Sequence, residues 1–133
     1  MGLKDRIEEE MVVDTESILE DYFDQAKELF ELRGDGTIAV ASEYQDSNPK
    51  ELILTHLTAQ HYRYEAERAD SAGLPYQYFY DRINKDDSTI RHYFSDLSNE
   101  GFVRSNDEGH RELVIERLPA AIDRIAGTTG GDE

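Results

Sequence analysis

The run from Ser88 to Val103, STIRHYFSDLSNEGFV, constrains the fold of this chain more than any other part of the sequence. Ile90, Phe94 and Leu97 recur at helical spacing, which places them on one apolar stripe. Gly101 follows the stripe, and glycine at this point permits the positive backbone angle that ends many helices. The apolar pair after the glycine is typical of a strand. The sequence therefore predicts a helix that stops at Gly101 and leads into a sheet.

Two further helices are predicted before this one. Asn48 and Pro49 indicate a helix start, and apolar residues at helical spacing continue to about Arg68. A shorter apolar pattern from Leu74 to Ile83 predicts a second helix, and Asp87 can cap the helix that follows. The predicted buried face of the long helix consists of Leu52, Ile53, His56, Leu57, Gln60 and Tyr64.

The segment after Gly101 predicts a hairpin and a closing helix. Strands are expected over residues 102–105 and 111–116, joined around Asn106 to Gly109, and Pro119 opens a helix over residues 118–125. Three helices, a hairpin and a closing helix follow one another. This is the order of elements in a winged helix-turn-helix domain, which we place at residues 47–127.

An N-terminal extension, residues 1–46, precedes this domain. Asp14 is a good N-cap for an amphipathic helix expected from Thr15 to Glu28, and a short hairpin is expected around Gly34, Asp35 and Gly36. Residues 128–133, rich in glycine, are expected to form a disordered tail. The predicted fold class is thus α+β, mostly helical: a winged helix-turn-helix with an N-terminal helix and a short β-hairpin extension.

The run from Ser88 to Val103 resembles the recognition helix and first wing strand of prokaryotic winged-helix regulators of the MarR and ArsR families. The positions that match their pattern are Thr89, Ile90, Phe94, Leu97, Gly101, Phe102 and Val103. The resemblance covers about half of the chain. It implies a regulator that docks helix 88–99 in the major groove of DNA and lays its wing along the backbone.

The candidate DNA contacts lie opposite the apolar stripe and in the wing. Hydroxyl groups on the helix can bind phosphate, and Arg91 can form a bidentate pair with guanine. The helix candidates are Lys85, Ser88, Thr89, Arg91, His92 and Ser95, and the resemblance implies Arg104, His110 and Arg111 in the wing. Departures from the family pattern are the acids Asp86, Asp87, Asp96, Asp107 and Glu108 on or beside these surfaces.

The function expected from this pattern is sequence-specific DNA binding by a transcriptional regulator. The alternative is a winged-helix module that binds another protein without reading DNA, because fold alone does not determine function. The sequence contains no glycine-rich phosphate loop and no nucleophile elbow, so an enzyme is not expected. His56 and His61 lie five residues apart, which does not suit a shared metal, and no cofactor is expected.

The charge balance points to a high-salt environment. The chain has 30 acidic and 14 basic residues, a net charge of −16, with ten arginines and only four lysines. Acids are scattered along the sequence, as we expect for a halophilic protein in concentrated KCl. The alternative is an acidic protein that avoids or mimics nucleic acid. Residues 72–95 hold three acids and three bases, so this window is positive relative to the rest.

The remaining expectations concern location and assembly. The chain has no cysteine, and no stretch approaches the roughly 20 apolar residues of a membrane span. We expect a cytoplasmic protein with no membrane contact. A DNA site with two-fold symmetry is bound by two copies of a DNA-binding domain, so we expect a homodimer.

The net charge generates a first prediction. At molar salt the Debye length falls to about 3 Å, which removes most of the self-repulsion of a chain with charge −16. We expect the midpoint of thermal unfolding to rise steeply between dilute buffer and molar KCl. A midpoint that stays flat over this range would contradict the halophilic interpretation.

Overall fold

The computed structural model describes residues 2–10, 14–45 and 48–130 of the chain. The fold is α+β and mostly helical, with two separate two-stranded antiparallel hairpins. Its elements in chain order are α1 (Leu3–Glu10), α2 (Thr15–Asp21), α3 (Phe23–Ala26), β1 (Phe30–Leu32), β2 (Ile38–Val40), α4 (Pro49–Glu65), α5 (Tyr76–Tyr80), α6 (Asp87–Asn99), β3 (Val103–Ser105), β4 (Arg111–Leu113) and α7 (Leu118–Gly130).

Helix α4 is the central element of the core. Every residue from Ile53 to His61 is buried, because α7, α6, β4 and both strands of the N-terminal hairpin pack around it. The prediction of a single buried face was therefore wrong, and Tyr64, expected inside, is 47% exposed. The hydroxyl groups of Thr55 and Thr58 donate to the carbonyls of Glu51 and Leu54 one turn earlier, so their burial leaves no polar atom without a partner.

Two histidines of α4 connect it to other elements. The Nδ1 atom of His56 lies 2.8 Å from the Tyr78 hydroxyl, and the Nε2 atom of His61 lies 2.9 Å from the Leu113 carbonyl in β4. Burial, the largest cause, and the nearby Arg82 charge lower the pKa of His56 from 6.5 to about 4. Burial also lowers the pKa of His61. Both side chains are therefore neutral at pH 7.

The N-terminal extension contains the expected hairpin but not the expected continuous helix. Asp14 caps α2 by accepting from the Ser17 backbone N–H at 3.1 Å, as predicted. Tyr22 leaves helical geometry, with φ −109° and ψ 14°, and separates α2 from α3. The break redirects the chain toward the hairpin, in which Phe30 pairs with Val40. The predicted boundary after residue 46 lies outside the described residues.

Helix α5 is shorter than the predicted segment 74–83: it ends at Tyr80, and it begins only at Tyr76 because Leu74 takes part in a β-bridge. The backbone N–H groups of Leu74 and Arg111 each donate to the other's carbonyl at 2.9 Å. A Cβ atom at Gly73 would lie 2.7 Å from the Arg111 carbonyl oxygen, so only glycine fits this close approach.

The following helix, α6, forms as predicted except at its cap. Asp86 rather than Asp87 is the N-cap, and its carboxylate accepts from the Thr89 backbone N–H at 2.8 Å. Ile90, Phe94 and Leu97 are all buried, and Gly101 has the expected positive φ of 85°. Tyr93, predicted on the same buried side, is only half-buried.

The end of the chain differs from prediction in two places. Strand β4 stops at Leu113, short of the predicted Glu116, and a 3-10 turn over Ile115–Arg117 leads into α7. Helix α7 continues to Gly130, which extends it into the segment predicted to be a disordered tail. Residues 131–133 lie outside the described part of the chain.

The buried His56 generates a second prediction. Between pH 6.5 and 4 the unfolded chain takes up a proton at this residue while the folded chain does not, so the free energy of unfolding falls as the pH falls. We expect the change from pH 7 to pH 5 to cost about 1 to 2 kcal/mol more in the wild type than in a His56→Gln variant. Urea unfolding at both pH values measures this difference. Equal losses in the two proteins would show that His56 is not buried in its neutral form.

Candidate nucleic-acid interface

A groove of about 260 Å³ lies between α6 and the β3–β4 hairpin. We call it the α6–hairpin groove. Three arginines line it and no carboxylate does, in a chain whose acids outnumber its bases by 30 to 14. The groove brings together four of the nine candidate residues: Arg91, Ser95, Arg104 and Arg111.

Two of these arginines are held by a pair of tyrosines. A guanidinium nitrogen of Arg91 donates to the Tyr80 hydroxyl at 3.1 Å. The rings of Tyr80 and Tyr76 stack with centroids 6.4 Å apart, and Arg111 donates to the Tyr76 hydroxyl at 3.1 Å. The guanidinium carbon of Arg111 also lies 4.5 Å from the centroid of the Tyr76 ring. Neutral partners thus orient both arginines without neutralising their charge.

Sequence reasoning missed the role of these tyrosines. Tyr76 and Tyr80 share one helical face, a spacing that is typical of core residues. Both are half-buried, and Tyr76 packs edge-on against Phe94 of α6 with ring centroids 5.2 Å apart. The spacing of four residues was a sufficient signal that the two rings would stack, but not that arginines from α6 and β4 would meet them.

Arg104 differs from the other two arginines because it has an acidic partner. Its Nε donates to Glu112 at 3.0 Å, directly across the β3–β4 register. The Arg104 side chain is 57% exposed and that of Glu112 only 12%. The pair therefore stabilises the hairpin, and the Arg104 charge in the groove is partly balanced.

The hydroxyl groups at the start of α6 take part in capping. The Ser88 hydroxyl donates to the Asp86 carboxylate at 3.2 Å. Thr89 is half-buried, and its backbone N–H donates to the same carboxylate. Hydrogen bonds from the Thr89 side chain and backbone lower the pKa of Asp86, which keeps a negative charge at this end of the helix. Lys85 is exposed in the turn before it.

His92 lies outside the residues that line the groove. Its Nε2 is 3.6 Å from Asp96, which also pairs with Lys50 of α4 at 2.9 Å. The hydrogen bond from Lys50 is the largest cause that lowers the pKa of Asp96. This acid, noted above as a departure from the family pattern, is thus balanced by a base.

His110 also lies outside the groove, at the base of the β3–β4 loop. Its Nδ1 is 3.2 Å from the Ser71 hydroxyl, and its backbone N–H donates to the Asn106 side chain at 3.1 Å. Asn106 donates in turn to Ser71 at 3.1 Å. This cluster fixes the loop on the segment between α4 and α5.

Arg124, on α7, has a structural role. It donates to the buried carboxylate of Glu51 at 2.6 Å and to Glu100 at 2.8 Å. Burial alone would lower the pKa of Arg124, but these hydrogen bonds raise it. Removal of Arg124 would leave Glu51 buried without its partner, and loss of a partner from a buried pair is strongly destabilising.

Comparisons of the chain with protein-family models, with curated proteins and with solved structures found no match. Within residues 2–10, 14–45 and 48–130, no helix has the length and apolar character needed to cross a bilayer. The same residues contain no group of three or more His, Asp or Glu side chains that could hold a metal ion. The geometry of the α6–hairpin groove is therefore the basis for a functional assignment.

Proposed function

We propose that this chain is a winged helix-turn-helix protein that binds double-stranded DNA and regulates transcription. The order α4, α5, α6, β3–β4 and α7 supports the winged-helix assignment, with α6 as the reading helix and β3–β4 as the wing. The observation that carries the proposal is the α6–hairpin groove, which is lined by three arginines and no acid in a chain of charge −16.

The groove suits a phosphodiester backbone. Arginine forks match phosphate oxygens, and the Ser95 hydroxyl beside them can donate to the same group. Arg91 is exposed on the flank of α6, beside the buried Phe94, so its side chain can reach a base edge when the helix enters a major groove. Arg91 would read guanine while Arg111 holds the backbone.

Exposed acids beside this surface explain why the complex would need salt. Asp87 at the start of α6 and Asp107 and Glu108 at the loop tip are exposed and would repel phosphate in dilute buffer. Near molar salt this repulsion is mostly screened, whereas hydrogen bonds at contact distance persist. We therefore propose that the protein acts in a KCl-rich environment.

The acidic loop tip also favours a second candidate function. An exposed pair such as Asp107 and Glu108 is complementary to a basic protein surface, so the module could bind a protein partner through its wing. In that case, substitutions in the groove would leave any DNA affinity unchanged, and substitutions at the loop tip would reduce binding to the partner.

The DNA proposal is tested by replacing Arg91 with Ala. We expect a loss of about 1 to 3 kcal/mol in binding to a selected DNA site and a weaker preference at one or two base pairs. The fold should persist, because the Arg91 side chain is exposed and its partner is the Tyr80 hydroxyl. Fluorescence anisotropy with a labelled duplex in molar KCl measures both effects.

The matched control is Arg68→Ala. Arg68 is exposed after α4, and its backbone carbonyl, which the substitution keeps, accepts from Arg63. Arg124 is unsuitable as a control because it neutralises the buried Glu51. Equal DNA affinities of the wild type, Arg91→Ala and Arg68→Ala would eliminate α6 as a reading helix.

We also propose a homodimer that pairs through the N-terminal extension. Phe23 is 50% exposed, and hollows of about 280 Å³ and 440 Å³ lie on either side of it. Tyr62 lines both hollows, with Phe30 in one and Leu19 in the other. The ring of one copy could enter a hollow of the other, as a two-fold interface requires. Four carboxylates also line the larger hollow, and molar salt would screen their repulsion between the two copies: Glu16, Glu20, Asp24 and Glu65.

The pairing surface is tested by Phe23→Asp. We expect the variant to be monomeric in molar KCl where the wild type is dimeric, because a carboxylate would be buried in the interface. Static light scattering gives the mass of each. The control is Tyr64→Asp, since Tyr64 is exposed but lines neither hollow. A monomeric wild type, or a dimeric Phe23→Asp variant, would contradict this proposal.

A further inference from the structure

A second arginine-lined space shares no residue with the α6–hairpin groove. It has a volume of about 410 Å³ and lies where the β1–β2 hairpin faces α4 and the end of α5. We call it the junction cavity. Ile38 and Leu52 form apolar walls, and Arg33, His56 and Arg82 provide polar groups; none of the residues that line the cavity is acidic.

Neither arginine of the junction cavity forms an ion pair at contact distance within the described residues. Arg82 is held by neutral groups: it donates to the Tyr78 carbonyl at 2.8 Å, and its guanidinium carbon lies 3.7 Å from the centroid of the Tyr78 ring. Arg33 lies near Asp35, but the Asp35 carboxylate accepts from the Thr37 hydroxyl at 2.7 Å and its backbone N–H at 3.0 Å. The Asp35 charge therefore balances that of Arg33 in part, but no carboxylate of the described residues contacts either guanidinium group, and both can donate hydrogen bonds to a ligand.

His56 adds a buried hydrogen-bonding group. Only 7% of the residue is exposed, and His56 lines the cavity. Its Nδ1 is occupied by the Tyr78 hydroxyl at 2.8 Å, whereas no described residue hydrogen-bonds to its Nε2. When the Tyr78 hydroxyl donates to Nδ1, the ring proton resides on Nε2 and can be donated to a ligand oxygen.

We propose that the junction cavity binds a small organic anion, with a carboxylate or phosphate group held by Arg33 and Arg82 and an apolar body against Ile38 and Leu52. Arginine forks are suited to both head groups, and neutral His56 donates without adding charge. The volume falls within the range of small-molecule sites. This inference is independent of DNA binding, because none of its residues lines the α6–hairpin groove.

The experiment is a titration of the isotope-labelled full chain followed by two-dimensional NMR. The probes are benzoate and phenyl phosphate, which share a phenyl body, and benzamide, which has nearly the shape of benzoate without its charge. Spectra are recorded in buffer where the signals show a folded protein. We expect at least one anion to shift signals of residues 33, 56 and 82, and benzamide to bind at least about tenfold more weakly.

Two variants and one control assign the site. Arg33→Met and Arg82→Met each remove one charge but keep an apolar stem, so packing on Tyr78 is retained in the second. We expect each to weaken the bound anion about tenfold, the effect of one lost charge-assisted hydrogen bond. Arg68→Met removes an exposed arginine outside the cavity and should leave the affinity unchanged.

The difference between the two anions reports which head group the cavity prefers, and binding of either one supports the proposal. Three results would overturn it. These are no binding of either anion, equal binding of benzoate and benzamide, and an Arg33→Met/Arg82→Met double variant that binds as tightly as the wild type. The DNA titrations test a separate surface, so failure of this proposal would not count against the proposed function.

Discussion

The all-round burial of α4 is the constraint on which the rest of the structure depends. One side of the helix contacts α7 and β4, and another contacts the β1–β2 hairpin, so both halves of the chain share one core. The polar residues that this burial includes determine how neighbouring elements are placed. His61 holds β4, His56 holds the segment with Tyr78, and Glu51 holds α7 through Arg124. Buried polar groups need partners, so these contacts fix the arrangement around α4.

Six of the basic residues fall into two groups according to their partners. Lys50, Arg104 and Arg124 each contact a carboxylate on another element and stabilise the packing between elements or strands. Arg82, Arg91 and Arg111 instead contact the ring or the hydroxyl group of a tyrosine. A tyrosine orients a guanidinium group through its ring or hydroxyl but leaves its charge in place. In a strongly acidic chain, this arrangement is what leaves positive charge at two separate surfaces.

The parts of the fold that sequence predicted are those fixed by local interactions. The stripe of Ile90, Phe94 and Leu97 and the positive φ at Gly101 depend on residues within one or two turns. The bridge between Leu74 and Arg111 and the burial of every side of α4 from Ile53 to His61 depend on residues far apart in sequence, and periodicity carries no information about them. The site divides in the same way. Arg91 and Ser95 follow from the exposed face of α6, and the contact of His92 with Asp96 is one helical turn long and equally local. Ser71, which holds His110 outside the groove, comes from tertiary packing.

The bridge at Leu74 also has an entropic consequence. It fixes Arg111 to the segment that enters α5, and α5 carries Tyr76 and Tyr80, the supports of Arg111 and Arg91. Both walls of the α6–hairpin groove therefore belong to one rigid unit. The hydrogen bonds to Tyr80 and Tyr76 restrict the rotation of these two long side chains before a ligand arrives, so binding in the groove has less of that freedom to remove. This arrangement depends on Gly73, because any larger residue at that position would prevent the close approach of the two backbone segments.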